Sequence, residues 1–331
     1  MKIIVEHVWY STIEQLIRRI KLEAPTHIVW LGLTEYNFPE PWRERMDELL
    51  SLIREKDIKL EFITGNSITG EYMFKEFNGM HENITFHAFP MYFIFESVRH
   101  LRDEKPILNI DPNIENRSYI NLNRMPHRFR CKLIDELYRN ELFDNGYNSW
   151  LRPNEYSPYT YPFKYWKEER LVLPHEDKIH KKIVDGNDLK TMFTPPPEYF
   201  QVAYNLVAES TDDILFYTEK TFKNYWFRKP FIICGAQNIN HTLKYYGFKL
   251  YDEIFDYSFD FKTNIDDRIE GIIKNVINLK EINNHYLWKV LQKKLDHNYN
   301  NMMEIFYSKK YVPPILKYHL KNGVQEIKSK I

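Results

Sequence analysis

The sequence has few glycines, and their spacing excludes two common phosphate-binding motifs. Ten glycines occur among 331 residues, and no two of them stand as Gly-x-Gly. The dinucleotide-binding fingerprint and the P-loop both need glycines at fixed short spacing, because backbone N–H groups must approach the phosphates closely. The sequence contains neither motif in full.

Cysteine is rarer still, and potential metal ligands are poorly grouped. The two cysteines, Cys131 and Cys234, lie far apart inside apolar segments, which excludes a disulfide framework and predicts two buried thiols. The sequence contains no Asp-x-Asp pair. In LPHEDKIH, His175 and His180 are separated by about 140° around a helix, so they cannot share a metal and are predicted to lie in a surface loop. We expect no catalytic metal.

The sequence also lacks a long apolar run and an excess of either charge. No stretch approaches the ~20 apolar residues of a membrane span, and Glu6 interrupts the N-terminal apolar stretch, so we expect a cytoplasmic protein without membrane contact. The 46 basic residues balance the 46 acidic ones, and no global field favours nucleic acid. Segments 156–182 and 308–330 remain candidates for a local basic patch.

The length predicts two domains of roughly 150 residues each. In the first half, apolar strands alternate with amphipathic helices, which is typical of a parallel sheet. The predicted strands are 2–8, 26–33, 59–65 and 84–92, and the predicted helices are 11–22 and 41–56. This order predicts an N-terminal parallel-sheet lobe.

The second half repeats the alternation around a long irregular segment. A strand at 118–122 precedes a helix over 129–143, which Gly146 is predicted to close. Residues 151–198 have no periodicity and predict a long crossing segment. The later predicted strands are 198–210 and 230–235, and the later predicted helices are 218–229 and 237–246.

Ligands of parallel sheets bind at the carboxyl ends of the strands, so loops 209–220 and 235–238 are the candidate ligand loops. Thr218 is placed to cap the following helix, and Glu219 and Lys220 fall in its first turn, where unpaired N–H groups and the helix dipole favour an anion. A lysine in that position opposes the dipole and indicates a bound diphosphate. A solvated lysine beside a capping threonine is the alternative.

Two other groups are candidates for the same ligand. Glu209, at the end of the preceding strand, is placed to bond a ribose or sugar hydroxyl, with a solvated carboxylate as the alternative. Arg124, Arg128 and Arg130 crowd a turn with His127 before a helix, which indicates either a phosphate site or an exposed basic turn.

Two blocks of the sequence resemble a known family. The block NLVAESTDDILFYTEKTFKNYWFRKPFIICGAQNINHTLKYYGFKLYDEIFDYSFD resembles the C-terminal signature of a family of phage and viral glycosyltransferases. Its Glu-Ser and Thr-Glu-Lys elements are similar to the donor-binding domain of the α-1,3-fucosyltransferases. The upstream block 120–150 also resembles the viral family, and Arg130 with Leu133, Ile134 and Leu137 matches the spacing around the fucosyltransferases' phosphate-binding arginine. Together the blocks cover roughly a quarter of the chain.

The resemblance implies a role for each matching residue. Lys220 and Arg130 would neutralise the diphosphate of a nucleotide-sugar donor, Glu219 would bond its ribose, and Glu209 and Ser210 would face the sugar or ribose.

Two departures from the family leave details open. The order HRFR offers Arg128 as a rival for the role of Arg130. Glu209 is followed by Ser-Thr-Asp-Asp instead of Asn-Ser, and Arg-Lys-Pro replaces Gly-x-Pro before the next strand, so GDP-fucose is not assumed as the donor.

The resemblance also implies the GT-B fold, in which two Rossmann-like α/β lobes face each other across a cleft. We place the acceptor-side lobe at 1–115, the donor lobe at 116–300 and a C-terminal tail or helix at 301–331. The implied reaction moves a sugar from the nucleotide diphosphate sugar to a hydroxyl without a required metal, and cationic side chains stabilise the leaving diphosphate.

An inverting reaction of this type needs a carboxylate general base from the N-terminal lobe. Glu35, just past the strand 26–33, and Glu96, after the strand 84–92, are the candidates, because loops at strand ends are expected to face the cleft. The alternative for each is a solvated residue of a loop or helix. Glu35 is the preferred candidate for the base. A retaining reaction stays open.

The acceptor is less defined than the donor. The viral resemblance suggests a modified DNA base such as a hydroxymethylpyrimidine, or else a glycan or structural protein, with the host cytoplasm as the location. The balanced net charge argues mildly against long duplex contact. Two other classes stay open: a non-catalytic nucleotide- or glycan-binding viral protein, and a structural viral protein that binds no nucleotide.

Overall fold

The computed structural model describes residues 3–7, 12–32, 45–66, 71, 74–75, 80–102, 117–123, 127–149, 193–282 and 284–321. These residues form two compact units. The first takes its residues from 1–92 and 308–331, and the second takes them from 93–307. Each unit contains a four-stranded parallel sheet, which confirms the predicted α/β class.

Several sequence predictions lie outside the described residues. They include the candidate base Glu35, the basic-turn residue Arg124, and most of the predicted crossing segment, with His175 and His180 in it.

The first unit begins with a β-α-β arrangement, as predicted. Its strands are β1 (Ile3–His7), β2 (His27–Gly32), β3 (Lys59–Thr64) and β4 (Ile84–Ala88), and its helices are α1 (Ile13–Glu23) and α2 (Met46–Glu55). The strands follow one another in the sheet in sequence order. Such an order is what successive β-α-β connections produce when each crossover returns the chain to the neighbouring position.

Helix α1 shows why this unit forms. Thr12 and Gln15 make a reciprocal capping box that satisfies N–H groups at the helix start. The predicted apolar face of the helix is buried in the core, and it consists of Ile13, Leu16, Ile17 and Ile20. On the sheet, Trp30 and Phe62 meet edge to face with ring centroids 5.2 Å apart.

The second unit contains the later strands and most of the later helices. Its strands are β5 (Arg117–Leu122), β6 (Gly146–Ser149), β7 (Val202–Ala208) and β8 (Phe231–Cys234). The helices after β4 are α3 (Tyr92–Leu101), α4 (Arg128–Arg139), α5 (Glu219–Trp226), α6 (Ile239–Tyr245), α7 (Ile265–Asn278), α8 (Asn284–Ser308) and α9 (Pro314–Lys321). Of these, α9 belongs to the first unit.

The strand order of the second sheet brings distant segments together. The order is β6-β5-β7-β8, and all three pairings are parallel. Strands β5 and β7 are therefore neighbours in the sheet, although 79 residues lie between Leu122 and Val202 in the sequence. The carboxyl ends of β5 and β7 lie at the same edge, and the helices α4 and α5 both begin beyond it.

Gly146 does not close the predicted α-helix; it follows a separate 3-10 turn over Phe143–Asn145. Helix α4 ends at Arg139, and Gly146 opens β6, a strand that the sequence analysis did not predict. A Cβ atom at Gly146 would lie 2.4 Å from the Tyr119 ring, so the neighbouring strand requires a glycine there. The same residue type serves helix ends and close backbone approaches, which explains the wrong prediction.

Other boundaries shift by a few residues. The predicted strand 84–92 ends at Ala88, and the predicted strand 198–210 begins at Val202 after a 3-10 turn over Pro197–Gln201. Both cysteines are buried free thiols, as predicted. Among the described helices, none is long and apolar enough to cross a membrane.

Candidate functional site

The loop after β7 is organised by the carboxylate of Glu209, which has no solvent exposure. Its Oε1 accepts hydrogen bonds from the Thr218 amide (3.0 Å) and the Thr221 hydroxyl (2.6 Å). Its Oε2 accepts from the Thr218 hydroxyl (2.7 Å) and the Ser210 amide (3.2 Å). Four donors and the start of α5 compensate the burial of this charge. Glu209 thus joins the end of β7 to the start of α5.

This arrangement bears on the predicted role of Glu209. All four of these bonds go to protein groups, so the carboxylate holds the loop that precedes the helix. The contact with a sugar or ribose hydroxyl stays a prediction.

Arg130 reaches the same loop from the first turn of α4. Its Nε and Nη2 both donate to the main-chain carbonyl of Glu209, at 3.1 and 2.6 Å. The side chain is 2% exposed. The arginine therefore fixes the start of α4 against the carboxyl end of β7 and brings a permanent positive charge to this edge of the sheet.

Lys220 brings a second positive charge to the same place. It lies in the first turn of α5, and its amide donates to the Thr218 hydroxyl at 3.2 Å, so the predicted cap at Thr218 is confirmed. Burial, together with the charges of Arg130 and Lys220, lowers the pKa of His127 to about 3. His127 therefore stays neutral at physiological pH, and the side chains of Arg130 and Lys220 act on a common region.

The groups that meet here are of the kinds that bind anions in proteins. A helix start presents N–H groups and a favourable dipole, and Arg and Lys supply charge-assisted donors for phosphate oxygens. Glu219 and Ser210 are buried beside these residues, Glu219 in the first turn of α5 and Ser210 directly after Glu209. Their contacts with a ribose or sugar stay predictions.

The rival arginine, Arg128, is oriented differently. Its Nη2 lies 3.7 Å from Oδ2 of Asp266 at the start of α7, and Lys132 Nζ lies 2.8 Å from the same oxygen. Among the described residues, Arg130 is thus the arginine of HRFR that bonds the end of β7, while Arg128 pairs with α7. The choice between the two arginines as the phosphate-binding residue stays a prediction.

The candidate base Glu96 lies within α3, not in a loop at a strand end as expected. Its carboxylate pairs with Arg99, and His100 Nε2 lies 3.6 Å from Oε2. Its catalytic role stays a prediction.

Sequence reasoning missed Arg268, which connects the two candidate ligand loops. From α7 it donates to the carbonyls of Gly235 (3.0 Å) and Asp212 (2.7 Å), and also to those of Lys262 and Thr263. Gly235 follows β8, and Asp212 lies in the loop after β7. Arg268 falls on the buried face of α7 beside Ile265 and Ile269. An arginine interrupting an apolar face was the available signal.

Asp212 is a second residue of the loop with an altered environment. Burial and the neighbouring charge of Asp213 raise its pKa, although Arg268 and Arg128 act in the opposite direction. Among the described residues, no group of three or more His, Cys, Asp or Glu side chains is arranged to hold a metal ion.

Comparison with known proteins finds one kind of similarity. No protein-family model matches the chain, and no curated protein matches it. Among solved structures, the chain is similar to one described as "Crystal Structure of alpha1,3-Fucosyltransferase". The sequences are 13% identical, the match covers 91% of this chain and 92% of the other, and the TM-score is 0.36.

Proposed function

We propose that this protein is a glycosyltransferase that uses a nucleotide diphosphate sugar as donor. The observation that carries the proposal is the meeting of Arg130 and Lys220 at the carboxyl edge of a parallel sheet. The sequence resemblance assigns these same two residues, on separate blocks, to the donor diphosphate. The chain brings both blocks to one edge, as a single binding site would require.

The proposed reaction breaks the bond between the anomeric carbon of the sugar and the diphosphate oxygen, and forms a bond from that carbon to an acceptor hydroxyl oxygen. The electron pair of the broken bond stays on the diphosphate, and the hydroxyl proton passes to a base. Arg130, Lys220 and the first N–H groups of α5 would stabilise the charge that grows on the leaving group. Because these donors are held by Glu209 and Thr218, little reorganisation is needed.

The remaining donor contacts follow the resemblance. Glu219 would bond the ribose, and Ser210 would lie near the sugar or ribose. Arg128 would add longer-range positive charge from its pair with Asp266. We assign Glu209 mainly to positioning, because its four hydrogen bonds hold the loop together.

A base and an acceptor complete the proposal. Glu35 remains the first candidate for the base and Glu96 the second, since Glu96 is paired with Arg99. The acceptor hydroxyl belongs to a hydroxymethylated DNA base or to a viral or host glycan, as the phage resemblance suggests. We propose that transfer needs no metal.

A thermal-shift panel of UDP-, GDP- and CDP-sugars tests the donor class directly. We expect one nucleotide family to raise the melting temperature, and the matching sugar to be released as transfer or hydrolysis product. Stabilisation without turnover toward any acceptor or water would favour a non-catalytic binding protein. If no nucleotide of the panel raises the melting temperature, the proposal is contradicted.

A further inference from the structure

A second candidate site lies in the second unit, apart from the residues assigned to the donor. A cavity of about 570 Å³ is lined by residues of α6, of the segment 252–261 and of the end of α7. Its volume is within the range of roughly 300–1,000 Å³ typical of small-molecule sites. None of the proposed donor-binding residues lines it.

A buried carboxylate orients a histidine in this cavity. Asp260, with no solvent exposure, accepts hydrogen bonds from the main-chain N–H groups of Asn240 (3.2 Å) and His241 (2.9 Å) and from Asn240 Nδ2 (2.9 Å). The ring Nδ1 of His241 lies 2.9 Å from Oδ2 of the same carboxylate. Because the carboxylate acts as acceptor toward all its other partners, we assign the ring proton to Nδ1.

The other ring nitrogen of His241 is then an acceptor. No described residue bonds Nε2, and a quarter of the side chain is exposed. The Phe261 ring lies beside it, with centroids 4.2 Å apart, and Phe261 is 55% exposed. The cavity therefore presents an oriented acceptor next to an apolar ring face, a pairing suited to a ligand that has both a hydroxyl and a nonpolar face.

The charges of the lining restrict the ligand further. Asp252, Glu253 and Asp256 line the cavity together with Lys244. Lys294, which does not line the cavity, pairs with the first two carboxylates, so two lysines offset only part of the charge of three carboxylates. A net negative lining disfavours phosphates and other anions and favours a neutral ligand with several hydroxyl donors.

We propose that this cavity binds a saccharide. A sugar hydroxyl donates to Nε2 of His241, and the C–H face of the sugar ring packs on Phe261. Carboxylates of the lining accept hydrogen bonds from further hydroxyls of the sugar. This proposal does not rest on the donor site, since the two share no residue.

Calorimetric titration with methyl glycosides and short oligosaccharides, without any nucleotide, tests the proposal. We expect His241→Asn and Phe261→Ala each to weaken saccharide binding by about tenfold, the typical effect of losing one hydrogen bond or one ring contact. Asn retains a donor near Nδ1 for Asp260 but loses the acceptor at Nε2. His241→Gln, which keeps a polar group reaching that position, should retain part of the affinity.

Tyr245→Ala is the matched control, because Tyr245 is an exposed aromatic residue of α6 that does not line the cavity. It should bind saccharide as the wild-type protein does. The proposal is overturned if no saccharide of the panel binds. It is also overturned if Phe261→Ala and Tyr245→Ala bind saccharide with equal affinity. Binding of unphosphorylated nucleosides in place of saccharides would also overturn it. Thermal melting of each variant identifies any that fails to fold, and Phe261→Ala, at an exposed position, keeps the test decisive.

Discussion

Arg130 donates two hydrogen bonds to the main-chain carbonyl of Glu209, across 79 positions of sequence. The bonds join the first turn of α4 to the carboxyl end of β7. Through them, a charged side chain of one sequence block becomes a fixed part of the loop formed by the other block. The proposed donor site depends on this connection.

The first prediction concerns the two cations of the donor site. Arg130→Gln and Lys220→Met should each weaken binding of the stabilising nucleotide diphosphate by about 10–100-fold, because each loses a charge-assisted contact with phosphate. Isothermal titration calorimetry measures the change.

The matched control is Arg117→Gln. Arg117 also bonds main-chain carbonyls, including that of Gly146 at 3.0 Å, but it lies at the amino end of β5. Its variant should bind the nucleotide normally. Unchanged affinity in both Arg130→Gln and Lys220→Met would refute the donor-site assignment.

The second prediction separates positioning from binding at Glu209. Glu209→Gln should lower the free energy of unfolding by about 2–3 kcal/mol, because an amide group would face the Ser210 or Thr218 donors in place of an acceptor. Urea denaturation measures the change. Glu219→Gln, in the first turn of α5, should weaken nucleotide binding with a smaller loss of stability. Normal stability in Glu209→Gln would show that the loop does not depend on the carboxylate.

The third prediction concerns a buried lysine at the opposite edge of the sheet. Lys229 donates to the Val202 carbonyl at 2.6 Å, and burial lowers its pKa from 10.5 to about 7. Between these two pH values the unfolded chain binds more protons than the folded protein, so the contribution of Lys229 makes stability rise with pH from about 7 upward. Lys229→Met should flatten this rise.

Urea denaturation at a series of pH values from 6 to 9 tests the effect of Lys229. Lys249→Met, at an exposed position, is the control and should keep the wild-type slope. Equal slopes in the wild-type protein and Lys229→Met would contradict the prediction.

The fourth prediction concerns the general base. Glu35→Gln should leave donor affinity nearly unchanged while turnover falls by about 10²–10⁴-fold, the range expected when a positioned base is lost. Glu96→Gln should keep near-normal turnover. Steady-state kinetics with the donor found in the panel measures both variants. A large loss in Glu96→Gln alone would transfer the role to α3, and normal turnover in both would leave the base to another group.

The local sequence was sufficient to predict much of the secondary structure. The apolar face of α1 and the Thr218 cap of α5 both follow from short-range patterns, since a helix repeats every 3.6 residues and a cap needs a hydroxyl at one position. The alternation of such segments with apolar strands was enough to indicate a parallel α/β protein. Gly146 shows the limit of this reasoning, because its role depends on the Tyr119 ring of a neighbouring strand.

The tertiary structure alone decided which of these segments meet. Local periodicity does not specify strand order, and it is the order β6-β5-β7-β8 that sets Arg130 beside Glu209. The sequence left Arg128 as a rival of Arg130, whereas packing directs Arg128 toward Asp266. Arg268, on α7, donates to the carbonyls of Gly235 and Asp212, which belong to two loops far apart in the sequence. The sequence by itself thus determined the kinds of element and the candidate residues, and long-range packing determined their partners, because contacts between distant segments form only when the whole sheet assembles.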